Sequence, residues 1–435
     1  MGNRRRDRGR KPATSVLVIL ALCVALCLAA ARVLGAQARQ GTAEARAEYE
    51  RGTEAAKQKQ TAAAIAAFRK AIDLDPQFFD AHERFVSATY DEAGYEKRKD
   101  AAGKLRAIYG EWVAAQPRNA VLHYFLGTFE DDPDKADSHF TRAIELDPRF
   151  AKAYQELSLH AEMRGETDLA SAFLKKAADS APADPSYAFY YAFSFDDTDL
   201  ARWKKLALEV VGRFPTHERA AQSLYWLGVR AETEADRLKY LERLKREFPV
   251  GQFSWSASGM DELFQAYARS SPDKALALAR EMSSSVGEGD RDRWKSIAAM
   301  QSAIVKARDL VAHGQGRDAL AVLDAVKPPK YISITPLHMA KADAQRAMGE
   351  PQKAYERLAS LVAGEPLPAL YGALLDHAKR MGKPAAEVQG DLQARREQQA
   401  KPAAEFELEN YLDGSEATLA QYRGKVVLLN FWYPG

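Results

Sequence analysis

One pattern constrains this chain more than any other: a helical segment ending in proline keeps returning. Residues Ala63–Pro76 read AAIAAFRKAIDLDP. ADSHFTRAIELDP follows at Ala136–Pro148, and LASAFLKKAADSAP at Leu169–Pro182. Pro148 and Pro182 are 34 positions apart, as are Pro215 and Pro249. Within each segment a small residue, a large one, a second small one and a proline recur. They are Ala64, Phe68, Ala71 and Pro76; then Ala136, Phe140, Ala143 and Pro148; then Ala170, Leu174, Ala177 and Pro182. Small residues let two helices approach closely, and the large one fills the space beside them. Proline ends the helix because it has no N–H donor and clashes with the preceding turn. No such unit can bury its own face alone, so the units are expected to stack into a solenoid with a continuous core and a concave surface.

The period and the positions resemble the tetratricopeptide repeat. The resemblance is strongest over residues 44–182 and extends, weakened, to 285. Residues 286–400 read as further helical hairpins, with Gly349 and Gly364 at turns or caps. First helices precede each segment: YERGTEAAKQ, AVLHYFLGTF and AKAYQELSLHAEMRG. The second unit departs from the pattern, since Pro117 lies 41 positions after Pro76 and DEAGYEKRKDAAG carries extra length. The third is shortened between Gly127 and Ala136. The resemblance implies a binding surface for proteins or peptides on the concave face.

The first 38 residues follow a different logic. A basic start (MGNRRRDRGRK) precedes an uncharged apolar run from Ser15 to Ala31, and Ala36 and Ala38 offer an A-x-A cleavage pattern. This reads as a cleaved secretory signal or a retained signal anchor, the run lying at the short end of the about 17–25 residues a spanning helix needs. Either way the body is expected to face the periplasm of a cell envelope, touching the membrane through this segment if it is uncleaved. Both cysteines, Cys23 and Cys27, fall inside the apolar run, so the body has no thiol for disulfides, catalysis or metal binding. The chain is formally +2, and residues 1–38 carry seven basic side chains against one acid, which leaves the body at about −4. A body without basic excess cannot neutralise a phosphate backbone, and no nucleic-acid partner is expected.

Other motifs have ordinary explanations. GQGRDA (Gly314–Ala319) matches a dinucleotide fingerprint, but SAIVKARDLVAH before it has helical spacing and no strand is in sight, so an inter-helix turn is expected. The eight histidines are scattered. His160 in HAE has the spacing of zinc deaminases without the cysteine pair that would complete the site. The acidic runs Asp131–Asp137 and Phe195–Asp199 lack the mid-loop glycine of a calcium loop, and helix N-caps or turns at Asp134 and Asp197 account for them. The aromatic stretch Tyr187–Phe195 reads as inter-helix core. No catalytic, cofactor-binding or metal-binding residue is assigned, and no cofactor is implied.

The last residues change period. FELEN alternates apolar and polar, Leu412–Gly414 is a turn signal, TLAQYRGK reads as a helical turn ended by Gly424, and VVLLNFW as a buried strand. Phe406, Leu408, Asp413, Gly414, Leu419 and the run Gly424–Trp432 resemble the opening of membrane-anchored thioredoxin-like disulfide reductases of bacterial envelopes (TlpA/ResA type), within the wider redoxin group that includes peroxiredoxins. That resemblance covers residues 403–435. It implies a Cys-x-x-Cys at a helix N-terminus, where the dipole activates the first thiol. The first of those cysteines is expected immediately after Gly435, so these 435 residues are expected to be catalytically inert and the sequence to be incomplete at that point.

The fold expected is therefore mainly α, a tetratricopeptide-type solenoid over 44–285 and 286–400, followed by the first strands of an α/β thioredoxin-like domain. The function expected is that of an exported member of a thiol-disulfide oxidoreductase family with a partner-docking solenoid. The alternatives are an envelope scaffold with a vestigial redoxin tail and, if residues 1–38 are not an export signal, a cytoplasmic co-chaperone-like adaptor.

Overall fold

The computed structural model describes residues 41–328, 332–410, 414–425 and 427. Among them are twenty α-helices and a two-stranded ribbon, divided into two compact units at Arg230 and Ala231. The first unit holds α1 (Ala43–Lys57), α2 (Thr61–Leu74), α3 (Phe79–Ala93), α4 (Arg98–Ala115), α5 (Ala120–Thr128), α6 (Pro133–Leu146), α7 (Ala151–Met163), α8 (Thr167–Ser180), α9 (Pro185–Phe193), α10 (Leu200–Arg213) and α11 (Glu218–Val229). The second holds α12 (Glu234–Glu247), α13 (Ser254–Ser270), α14 (Pro272–Ser285), α15 (Glu288–Ala312), α16 (Gly316–Asp324), α17 (Thr335–Ala347), α18 (Pro351–Gly364), α19 (Pro368–Arg380) and α20 (Ala385–Gln399). Strands β1 (Glu407–Glu409) and β2 (Glu416–Thr418) follow. Residues 1–38, the Leu412–Asp413 turn and most of the Val426–Trp432 strand, to which the sequence assigns export and a redoxin fold, lie outside the described residues. No described helix is long and apolar enough to cross a membrane.

In the first unit the recurring small and large positions meet as the sequence predicts. Phe68 and Phe140 are fully buried, each flanked by alanines with almost no exposure. Each phenylalanine lies against a glycine of the preceding helix. A Cβ on Gly52 would stand 2.7 Å from the Phe68 ring, and one on Gly127 would stand 2.7 Å from the Phe140 ring. The hairpins α1–α2 and α5–α6 thus close by the same device, glycine on the first helix and phenylalanine on the second. In α7–α8 the first-helix position is Ser158, whose buried hydroxyl donates to the Ala170 carbonyl at 2.9 Å, and Leu174 is only half-buried.

The proline ends carry a second device. Helix termini leave carbonyls without intrahelical partners, and here side chains from later repeats take them up. The Pro76 carbonyl accepts from Asn119 Nδ2 at 2.9 Å, and Pro182 from Arg213 Nη2 at 3.0 Å. Ser180 reaches the Pro148 carbonyl at 3.5 Å. The extra length of the second unit becomes a left-handed Gly94 (φ +71°), a 3-10 turn at Tyr95–Lys97 and an extended α4.

In the second unit, Gly314 (φ +75°) makes the turn between α15 and α16, and Gly316 opens α16 directly against the α17 backbone. A Cβ there would sit 2.8 Å from the Ala344 carbonyl oxygen. GQGRDA is thus a helix-to-helix turn, preceded by a helix. Tyr355, Leu358, Val362, Leu374 and Val388 form the core of α18–α20. Strands β1 and β2 pair antiparallel, with Leu408 opposite Ala417. Thr418 and Gln421 form a reciprocal capping box on the short helical turn Leu419–Tyr422, and Gly424 (φ +77°) follows.

Candidate functional site

The first helices of successive hairpins in the first unit present side chains that reach from one repeat to the next. Lys152 on α7 donates to Glu83 on α3 at 2.9 Å and lies 5.0 Å from the centre of the Phe79 ring. Tyr124 on α5 packs 5.6 Å from Phe79 and donates its hydroxyl to Glu156 on α7 at 3.3 Å. Burial raises the carboxyl pKa of Glu156, opposed by the Tyr124 hydroxyl and by His160 and Lys152. Lys152, Glu156, Leu159 and Met163 recur at helical spacing on one face of α7. Leu159 is 50% exposed and Met163 77% exposed, so the face passes from charged and paired to apolar and open.

A second row lies on α9 and α11. The aromatic stretch Tyr187–Phe195 splits between two environments. Tyr187, Phe189 and Phe195 are buried, as a core reading predicts, whereas Tyr190, Tyr191 and Phe193 are half-buried and meet arginines. Arg219 stacks over Phe189 and Tyr190, at 5.0 and 4.8 Å from the ring centres. It donates to the Tyr190 hydroxyl at 2.7 Å and to Gln222 Oε1 at 2.6 Å. Phe193 stacks on Phe189 at 5.3 Å and meets Trp226 edge-on at 5.7 Å. Arg230 closes the row, held by Asp196 at 2.9 Å and Asp197 at 2.8 Å. Nothing in the sequence pattern marks Arg219, because the rings it stacks on, Phe189 and Tyr190, come from a helix about 30 positions away.

The polar groups inside the hairpins are structural. His82 is completely buried. Its Nε2 faces the Pro76 carbonyl at 3.2 Å and must carry the proton, which leaves Nδ1 to accept from the Tyr109 hydroxyl at 2.9 Å. Desolvation pushes the His82 pKa down to about 3, against the pull of the Pro76 carbonyl. His123 repeats the arrangement with Pro117 at 3.1 Å and meets His139 Nδ1 to Nδ1 at 3.1 Å; burial lowers the pKa of both. His160 lies 2.5 Å from Asp137, which also binds Arg164 at 2.9 Å. Among the described residues, no three His, Cys, Asp or Glu side chains are placed to hold a metal ion.

The acidic runs need one correction. The α6 cap is Asp132 rather than Asp134, because Pro133 takes the first helical position and Asp132 accepts from the N–H groups of Asp134 and Lys135. Asp197 lies in the turn before α10, as expected, and pairs with Arg230, while Asp199 is the α10 cap. One depression, open to solvent, is lined along α6 alone, by Asp134, Asp137, Ser138, Thr141, Arg142 and Glu145.

Comparison with known proteins bears on the first hairpin. Residues 44–78 match the tetratricopeptide repeat family model. The match spans α1, α2 and the exit to Phe78, where the Gly52–Phe68 contact and the Pro76 terminus lie. Within each unit the described residues are mainly α and build tetratricopeptide-type helical hairpins. No curated protein matches the sequence. Among solved structures, the chain is similar to the Cut9–Hcn1 hetero-tetramer of the APC/C, with 14% identity and a TM-score of 0.34 over 75% of this chain and 54% of that one. It is also similar to the P58(IPK) TPR domain, with 14% identity and a TM-score of 0.30 over 82% and 94%. Naa15/Naa10 bound to HypK-THB gives 13%, a TM-score of 0.32, and 79% and 67%. The chain spans about half the length of the first of these.

Proposed function

We propose that this protein docks protein or peptide partners on the first-helix faces of its tetratricopeptide hairpins, at a concave surface, and that it belongs to an exported, envelope-located family of redoxins. The observation that carries the docking function is the α7 face, where Lys152 and Glu156 are tied to neighbouring repeats while Leu159 and Met163 stand open beside them. A face stiffened by such contacts loses little further entropy on binding. The redoxin assignment draws support from the β1–β2 ribbon, the capped turn and the left-handed Gly424, in the order that the resemblance implies. Export draws support from the arginine-rich start and the uncharged run Ser15–Ala31.

Site-specific photo-crosslinking in cells tests the docking function. A photoreactive residue at position 159 is expected to give discrete adducts, and one at Ala172, exposed on α8, to give none. Equal labelling from both positions overturns the reading. The codons after that of Gly435 test the redoxin part. A Cys-x-x-Cys motif supports it, and a stop codon favours the non-enzymatic scaffold.

A further inference from the structure

The row on α9 and α11 contains two arginines in different electrostatic states. Arg230 is compensated by Asp196 and Asp197. Arg219 touches only neutral groups: the Tyr190 hydroxyl, the Gln222 amide oxygen and the Phe189 and Tyr190 rings. Among the described residues it has no carboxylate partner. A guanidinium has five N–H donors in a fixed fork, and these two hydrogen bonds use two. Three remain, on a side chain that the rings already hold in place, so a carboxylate arriving there meets a preorganised donor set. Beside it, Phe193 and Trp226 are half-buried, with the Arg230 guanidinium 5.7 and 5.9 Å from their ring centres and part of each side chain open.

We propose that this row binds an acidic, apolar peptide segment, one carboxylate on Arg219 and the adjoining apolar side chain against Phe193 and Trp226. The proposal rests on the docking function above and names the partner's chemistry at one part of that surface. Charge decides between occupants. Among the described residues the row offers one uncompensated cation, Arg219, beside an Arg230 already neutralised by Asp196 and Asp197; a polyphosphate needs several cations together, whereas a peptide carboxylate needs one.

The test uses the full chain and two short capped peptides, one alternating glutamate with leucine and one with glutamine in place of glutamate. The glutamate peptide is expected to bind, to bind more weakly as salt is raised, and to bind about tenfold tighter than its glutamine counterpart. R219Q is expected to erase that difference, while R202Q, which removes a neighbouring arginine set on Tyr191 and Phe195, preserves it. The comparison of peptides on the unaltered protein holds even if R219Q fails to fold. Equal binding of both peptides, an unchanged preference in a folded R219Q, or binding of inorganic polyphosphate but neither peptide overturns the proposal. If crosslinks form from position 159 while neither peptide binds, this partner chemistry falls and the docking function stands. If the glutamate peptide binds as expected while positions 159 and 172 label equally, the docking reading falls instead.

Discussion

Lowering the pH should loosen α3 before it loosens hairpins that lack a buried histidine, and His82 sets the size of the effect. In the folded protein its imidazole is neutral, with Nε2–H donating to Pro76 and Nδ1 accepting from Tyr109. Its pKa is lowered from 6.5 to about 3 by desolvation. The unfolded chain takes up the proton near 6.5 and the folded chain does not. The stability from this site is therefore complete above pH 6.5, falls as pH drops through the window from 6.5 to about 3, and is exhausted below it. The slope is about 1.4 kcal/mol per pH unit, a total of about 5 kcal/mol across the window. Hydrogen–deuterium exchange of α3 amides, corrected for the intrinsic pH dependence of exchange, reads the opening free energy directly. His82→Gln is the control, since it keeps polar atoms near Pro76 and Tyr109 but does not titrate. At pH 7 the variant is expected to open more readily by about 1–2 kcal/mol through poorer hydrogen bonding. That deficit should shrink by about 1.4 kcal/mol per unit below pH 6.5 and then reverse. Parallel pH profiles for the two proteins would refute the reasoning, because they would mean that His82 is protonated in the folded state or that α3 opens without exposing it.

Two further substitutions test the packing. Gly316→Ala forces a Cβ against the α17 backbone and is expected to destabilise the protein by about 1–3 kcal/mol in urea unfolding. An unchanged midpoint would show that α16 can slide. Asn119→Ala removes both the cap on α5 and the donor to the Pro76 carbonyl. It should cost about 1–2 kcal/mol, and a second substitution at His82 should cost more than its own effect alone, since both side chains serve the same carbonyl.

The repeat was legible because its physics is local. The positions of Ala64, Phe68, Ala71 and Pro76 follow from one helix packing on the next, and the structure buries the first three as expected. The extra length before Pro117 was also visible, and it became a 3-10 turn and a longer helix. The turn at Asp197 was legible, but the cap at Asp132 was placed two positions late although Pro133 gave a usable signal: a proline at the first helical position makes its predecessor the cap. The aromatic stretch was half legible. Its buried residues read as core, but the arginines that cover Tyr190, Tyr191 and Phe193 come from α10 and α11, and no spacing rule reaches them. The acceptor role of His82 Nδ1 was likewise invisible, because its partner is a tyrosine 27 positions away.

The carbonyls at Pro76, Pro148 and Pro182 give the first unit a directional seam. Each is held by a donor from a later repeat, yet the donors are an asparagine, a serine and an arginine. What is repeated is the bond, and the residue that makes it varies. A repeat cut out or copied at these seams would have to carry its proline and borrow a donor from whatever comes next. Shuffled arrays should therefore tolerate exchange by order of neighbours, and a search for repeats by residue identity would overlook the position that joins them.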